Sequence, residues 1–279
     1  MPISAIILAA VLPVFDFATN SIAQRISGAD PAVCLSRFSD YPPSKGKLGF
    51  PRCLFENPFP VNEKFWLKDV DFSCVSPWND THGQFRAGTL ISKRHIIFAE
   101  HFPILKGARI LFADNEGGVC PLYLEKTCSV RSADFVVGLL NAEVTPNINP
   151  AKVLPVDYER YIGSGSGLPV ITFDQHEQAG LTELRTLTWD GNSCYVGSEE
   201  AKDESWRKFR VPMRRGDSGD PAFILIGKEA IFIYTVSAGG IGGGPGAHHR
   251  RREIQAAMDE LCPGYKLEAF DFASVTKRM

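Results

Sequence analysis

From about Phe65 onward the chain alternates short apolar runs with turn-forming residues. The runs are Gly88-Thr-Leu-Ile-Ser92, His95-Ile-Ile-Phe-Ala99, Arg109-Ile-Leu-Phe-Ala113, Asp134-Phe-Val-Val-Gly-Leu-Leu140, Leu168-Pro-Val-Ile-Thr-Phe173, Pro221-Ala-Phe-Ile-Leu-Ile226 and Ala230-Ile-Phe-Ile-Tyr-Thr-Val236. Runs this short and rich in β-branched and aromatic residues predict strands of an antiparallel barrel or sandwich. Helical spacing is convincing only over Arg251–Leu261, where Ile254, Ala257, Met258 and Leu261 fall on one face. No repeat of fixed period is present, which excludes a propeller or solenoid. Residues 24–64 carry Pro31, Pro42, Pro43, Pro51, Pro58 and Pro60 with little periodicity and read as an extension that wraps a surface. Before it, Pro2–Phe15 is uncharged, and its run Ala5–Leu12 is too short to span a bilayer. With small residues at Ser21 and Ala23, residues 1–23 fit a signal peptide cleaved after Ala23, although no Lys or Arg precedes the run. A buried N-terminal strand is the other reading of the same residues.

Composition agrees with a β-rich globular chain. The 25 Gly and 19 Pro would break helix interiors, and 44% hydrophobic content suffices for a sizeable core. Thirty basic against 32 acidic residues leave a formal charge of −2, so nucleic acid and anionic membranes are not expected partners. The seven cysteines at 34, 53, 74, 120, 128, 194 and 262 form no C-x-x-C pair, which removes support for a zinc ribbon or thioredoxin-like site. Their spacing fits a few disulfides in an oxidising compartment, or free buried thiols. With the leader, a secreted or periplasmic protein is expected.

The sharpest chemical signal is Gly216-Asp217-Ser218-Gly219-Asp220-Pro221. Glycines flanking a serine allow a turn sharp enough for the amides of Gly216 and Ser218 to point at one spot beside the hydroxyl, an oxyanion hole. A polar inter-strand turn has the same composition. A nucleophilic serine needs a base, and His101 ends an apolar strand that would deliver an imidazole to its exit. His82, His176, His248 and His249 sit in polar or Gly-rich stretches, and His95 lies inside a strand. Asp134, at the start of another apolar strand, can orient the base or stand solvated. The remaining motifs lead elsewhere. Gly239–Gly246 lacks the ending of a phosphate-binding loop and reads as a cleft wall. His248-His249 with Arg250–Arg252 reads as a solvated basic loop, and Asn79-Asp-Thr81 is a glycosylation sequon only in a eukaryotic secretory host.

The order His101, Asp134, Ser218 resembles the chymotrypsin-like serine peptidases, in the form of a secreted bacterial branch. Gly88–Ser92 with Ile97–His101 is similar to the family's strand leading into its Ala-Ala-His segment. Asp134–Leu140 is similar to its Asp-Ile-Ala-Leu-Leu, and Gly216–Pro221 to its Gly-Asp-Ser-Gly-Gly-Pro. Ser237-Ala238-Gly239 matches the Ser-Trp-Gly strand of its cleft. The resemblance implies an all-β domain over residues 65–279, made of two six-stranded antiparallel β-barrels with a C-terminal helix. It implies a monomeric endopeptidase acting on protein or peptide substrates without cofactor or metal. His101, Asp134 and Ser218 would be catalytic, with Gly216 and Ser218 forming the oxyanion hole. Pro212, Met213, Arg215, Ser237, Ala238 and Gly239 would line the substrate site. Pro212 replaces the Asp that selects basic side chains in trypsin-like members, so an apolar or permissive pocket is expected, with Arg214 and Arg215 at its rim. Glu100, Phe102 and Asp220 depart from the family pattern and leave a second reading, a weak or inactive peptidase-fold binding module. Arg25-Ile26-Ser27-Gly28 is similar to an activation site, but lies behind the Pro-rich extension.

Overall fold

The computed structural model describes residues 3–39, 58–76, 86–187, 195–237 and 242–276. The chain opens with helix α1 (Ile3–Ile26) and a single turn, α2 (Pro31–Cys34), whose start is set by Asp30 accepting from the Ala32 amide at 3.0 Å and by Pro31 at the first helical position. α1 is a helix, which corrects the buried-strand reading of this region. Val14, Ala18, Ile22 and Ile26 recur every four residues and are buried as one stripe, although polar residues interrupt the apolar run after Phe15. The expected processing point after Ala23 lies inside this helix, so loss of residues 1–23 would uncover the surface beneath Val14, Ala18 and Ile22. No helix among the described residues is long and apolar enough to cross a membrane.

Six strands follow: β1 (Val75–Ser76), β2 (Gly88–Ser92), β3 (His95–Phe98), β4 (Arg109–Ala113), β5 (Val119–Val130) and β6 (Phe135–Leu140). They pair antiparallel in the order β1-β2-β3-β6-β5-β4, and β1 lies against β4, so the sheet curls nearly into a barrel. β3 and β6 are buried on both faces, which is why they read as continuous apolar runs. The start of β5 alternates instead, with Cys120, Leu122 and Leu124 inward and Pro121 and Tyr123 outward.

The second sheet comprises β7 (Lys152–Val153), β8 (Pro169–Phe173), β9 (Ala179–Thr186), β10 (Tyr195–Glu199), β11 (Pro221–Ile226), β12 (Glu229–Thr235) and β13 (Gly243–Pro245). Their order is β13-β10-β9-β8-β11-β12-β7. Two short helices, α3 (Glu159–Ile162) and α4 (Glu204–Arg207), sit in its connections, and α1 packs on α3, β8 and β11. The expected pair of six-stranded barrels is therefore met only in outline. This sheet has seven strands, is not closed, and carries β7 in parallel beside β12, while a bridge from Tyr234 to Gly246 and hydrogen bonds from the Ser237 amide to Gly243 O and the Ala247 amide to Ile233 O bring β12 against the β13 end.

α5 (Arg251–Leu261) buries Ile254, Ala257 and Met258 against β5 and β6, as its spacing predicts, and α6 (Phe272–Thr276) follows. The two sheets share a core. Phe72 meets Phe173 at 4.9 Å and Phe223 at 5.5 Å between ring centroids, and Phe223 meets Phe232 at 6.0 Å. These edge-on aromatic contacts seat Phe72, just ahead of β1, against β8 and β11 of the second sheet.

The described cysteines, Cys34, Cys74, Cys120, Cys128 and Cys262, are all unpaired, so none of the expected disulfides joins them. Cys120 and Cys128 lie on the same strand, where eight residues span about 26 Å, and Cys34 and Cys74 are packed as small apolar groups in the core. Cys53 and Cys194 lie outside the described residues.

Candidate active site

β3 carries the chain out of the first sheet at Phe98, through the fully buried Ala99, to His101. Because Phe98 pairs with Val136 across to β6, the residues just before β6 come level with those just after β3. The Glu100 amide donates to the Asp134 carbonyl at 3.4 Å, and the Asp134 carboxylate then meets His101 twice. Oδ1 accepts from the His101 main-chain amide at 2.9 Å, and Oδ2 lies 2.6 Å from the ring Nδ1. On the other side of the ring, Nε2 lies 2.9 Å from Ser218 Oγ. An ionised carboxylate can only accept, so it selects the tautomer with hydrogen on Nδ1, leaving the Nε2 lone pair for the serine hydroxyl to donate to. The His101 side chain keeps 46% of its surface exposed and Asp134 28%, so the relay is open to a substrate.

Ser218 comes from the other sheet, on the loop leading into β11. The loop's backbone is dictated by two glycines. Gly216 has φ of 109° and Gly219 of 95°, and a Cβ on Gly219 would stand 2.8 Å from the Ala87 carbonyl oxygen. Asp217 N donates to the Arg214 carbonyl, Gly219 N to that of Val236 and Asp220 N to that of Asp217, at 3.1, 2.9 and 3.1 Å. Among the described residues the amides of Gly216 and Ser218 donate to no protein group. Two unspent amides, one on the serine and one two residues before it, are what an oxyanion requires.

Beneath this loop lies a set of buried acids that the sequence does not reveal. Asp174, Glu177, Asp217 and Asp220 are all at 1% exposure or less. Asp217 accepts from Gln175 N and Nε2, each at 3.3 Å, and from the Arg214 amide, while burial holds its carboxyl above the usual range. Among the described residues neither oxygen of Asp220 has a hydrogen-bond partner, and burial, reinforced by the charges of Asp217, Asp174 and Glu177, lifts its carboxyl far above the ordinary value. Burial likewise pushes Asp174 and Glu177 up to about 7, in the case of Glu177 against the pull of Arg37 at 3.7 Å.

These acids make stability depend on pH with a definite sign. Asp174 and Glu177 have ordinary values of 3.8 and 4.5, so the folded chain retains protons that the unfolded chain releases, and stability falls as pH rises from about 4 to about 7. His95 and His248, pushed by burial down to about 4 and about 3, act in the opposite sense below pH 6.5. Comparing wild type with Asp220→Asn cancels the histidines. The variant should melt a few degrees higher above pH 7, about 1 kcal/mol or more, with the gap closing towards pH 4. A gap that does not change with pH in thermal melts would contradict the assignment of a proton to Asp220.

The expected substrate-site residues separate. Met213 is buried, Pro212, Arg214 and Arg215 are exposed, and Ser237 is half-buried with its amide donating to Gly243 O at 2.8 Å. A Cβ on Gly242 would lie 3.4 Å from Met213 Cγ and 3.3 Å from the Tyr234 hydroxyl, which pairs with Ser198 Oγ at 2.7 Å. Ala238 and Gly239, like His82 and Asn79–Thr81, lie outside the described residues. Gly243–Pro245 pairs with Tyr195–Gly197, so that part of the glycine run is a strand.

Three departures from the family pattern leave the relay intact. Glu100 is exposed, Phe102 lies 4.5 Å beneath the Arg86 guanidinium, and Asp220 points into the acid cluster. The solvated basic loop expected at His248–Arg252 is corrected. His248 is buried against Tyr158, and both histidine Nε2 atoms lie within hydrogen-bonding distance of the Leu187 carbonyl, at 3.3 and 2.8 Å. No cluster of His, Cys, Asp or Glu among the described residues is arranged to hold a metal. Ile26, in the stretch similar to an activation site, is in the core at the end of α1, and Arg25 pairs with Asp69 at 2.8 Å. The sequence matches no protein-family model and no curated protein.

Proposed function

We propose that this chain is a serine endopeptidase of the chymotrypsin-like type, working through an acyl-enzyme on Ser218. The observation that carries the reading is the unbroken relay from Asp134 through His101 to Ser218, at 2.6 and 2.9 Å, assembled across 117 positions of sequence from segments bordering the two sheets. Chance seldom aligns an acceptor-only carboxylate, an imidazole and a hydroxyl in that order beside two unspent amides. The near-barrel first sheet would supply the base and orienting acid and the second sheet the nucleophile, a division of labour that a chymotrypsin-like arrangement shares.

In the first step Ser218 Oγ attacks the scissile carbonyl as His101 Nε2 takes its proton, and the carbonyl oxygen becomes an oxyanion held by the Gly216 and Ser218 amides. Asp134 stabilises the imidazolium and keeps the ring from turning. His101 then returns the proton to the departing amine nitrogen, leaving the acyl group on Ser218. Water repeats the sequence to release the acid and restore the hydroxyl. A fluorophosphonate probe should label wild type, and labelling should vanish in Ser218→Ala and His101→Ala. A folded wild-type protein that does not react would favour the inactive binding-module reading instead.

For specificity, a buried Met213 beside Pro212 supplies no carboxylate for a basic side chain. Peptide-library profiling should give cuts after apolar or small residues. Strong selection for Lys or Arg would show that Pro212 is misplaced, and selection for Asp or Glu that Arg214 or Arg215 faces the substrate.

A further inference from the structure

The serine loop is fastened from below by a residue outside the triad. Gln175 projects from the turn between β8 and β9, and it gives two hydrogen bonds to the same atom, Asp217 Oδ1, from its main-chain amide and its side-chain Nε2. Its carboxamide also lies close to Gly216, whose Cβ, if it had one, would stand 2.9 Å from Gln175 Nε2 and 3.2 Å from Oε1. One side chain thus touches both Gly216 and Asp217, the two residues that join the Arg215–Gly216 and Asp217–Ser218 peptides, which carry the Gly216 and Ser218 amides.

The mount of Gln175 is rigid. Asp174 Oδ1 accepts from the amides of His176 and Gln178, each at 2.9 Å, closing the turn, and Glu177 takes a positive φ of 54°. The N-terminal extension straps the turn from outside. Ser36 bridges Gln178, the Arg37 amide donates to the Glu177 carbonyl at 3.0 Å, and the Ala179 amide donates to Leu35 O at 2.9 Å. A partly buried polar contact held by a fixed turn positions its partner better than a fully solvated one.

We propose that Gln175 is a positioning residue of the active site, holding Asp217 so that the Gly216 and Ser218 amides face the substrate in the chain as synthesised, with the segment Leu35–Arg37 as its brace. The inference rests on the serine-peptidase reading. It assigns a use to the start of the Pro-rich extension.

Two variants test it. Gln175→Met keeps length and apolar bulk but cannot donate from its side chain. Its kcat should fall about 10- to 100-fold with KM within about threefold, because the oxyanion contact matters in the transition state and little in the ground state. Gln175→Glu also loses the donor while ionised, and sets a second negative charge against Asp217. Protonation restores an O–H that can donate to Oδ1. The ratio of its kcat to that of wild type, which cancels the titration of His101, should therefore rise at least about tenfold from pH 8 to pH 5. Arg37, Arg214, His176, Glu177, Asp174 and Asp220 also face this region, but they are common to both proteins. Wild-type kcat in Gln175→Met, or a flat ratio for Gln175→Glu, overturns the proposal.

Hydrogen–deuterium exchange separates this failure from failure of the functional reading, because it needs no turnover. The peptide covering Arg214–Gly219 should exchange faster in Gln175→Met even if wild type proves unreactive towards the phosphonate probe. Unchanged exchange there overturns the positioning role, whatever the chain catalyses.

Discussion

Ser218→Ala should lower kcat by about 10⁴- to 10⁶-fold while leaving the melting temperature within a degree or two of wild type. The size of the loss follows from what the hydroxyl does. Without it no acyl-enzyme forms, and only substrate binding and the two amides remain to speed attack by water. The small effect on stability follows from position. Ser218 is only half-buried, its hydroxyl bonds to the exposed His101, and the loop is shaped by Gly216, Gly219 and Asp217 rather than by the serine side chain. Steady-state kinetics on a peptide substrate, with thermal melts in parallel, check both halves. A variant retaining more than about a hundredth of wild-type turnover would remove Ser218 from the chemistry.

Asp134→Asn should be nearly as damaging, with a loss in kcat of about 10⁴-fold at neutral pH. Its two oxygens do different work. Oδ1 holds the His101 main chain at 2.9 Å and Oδ2 the ring at 2.6 Å. Asparagine replaces one acceptor with an amide donor. If the remaining oxygen stays on the main chain, the new NH₂ faces Nδ1 and forces the proton to Nε2, where it confronts Ser218 and blocks proton abstraction. Asp134→Ala removes the carboxylate without imposing that tautomer, so it should be no worse than Asp134→Asn. The two kcat values, compared on one substrate, test the tautomer argument, and an Asp134→Ala variant markedly slower than Asp134→Asn would contradict it.

Much of this architecture was legible because its strands are buried on both faces. Gly88–Ser92, Arg109–Ala113 and Pro221–Ile226 form β2, β4 and β11 with the limits of the apolar runs. β5 escaped because a half-exposed strand shows only alternation, and beyond Leu124 the residues Glu125, Lys126 and Thr127 dilute even that. β9 was hidden similarly by Glu183 and Arg185, one buried at the sheet face and one exposed. The four-residue spacing of Val14, Ala18, Ile22 and Ile26 was present in α1, but the apolar run ahead of it drew attention to hydrophobicity rather than period.

The candidate relay was legible because His101 and Asp134 each border an apolar run readable as a strand and Ser218 is flanked by glycines. Its support was not. Gln175 lies 42 positions from Asp217 in a polar turn, and only the approach of the β8–β9 connection to the serine loop gives it a partner. His248 misled for the same reason, since the Leu187 carbonyl and Tyr158 ring that bury it are supplied by distant segments. Local periodicity identifies what an element is, whereas the pairing of single polar groups across the chain depends on tertiary geometry.

The central claim, a covalent acyl-enzyme on Ser218, is tested most directly by trapping it. An activated ester of an apolar N-blocked amino acid, mixed with enzyme and quenched in acid within the burst phase, should raise the intact mass by one acyl group. Peptide mapping should place that group on Ser218, and the adduct should be absent from Ser218→Ala. Hydrolysis proceeding with no adduct on wild type, or with the acyl group on another residue, would contradict the account.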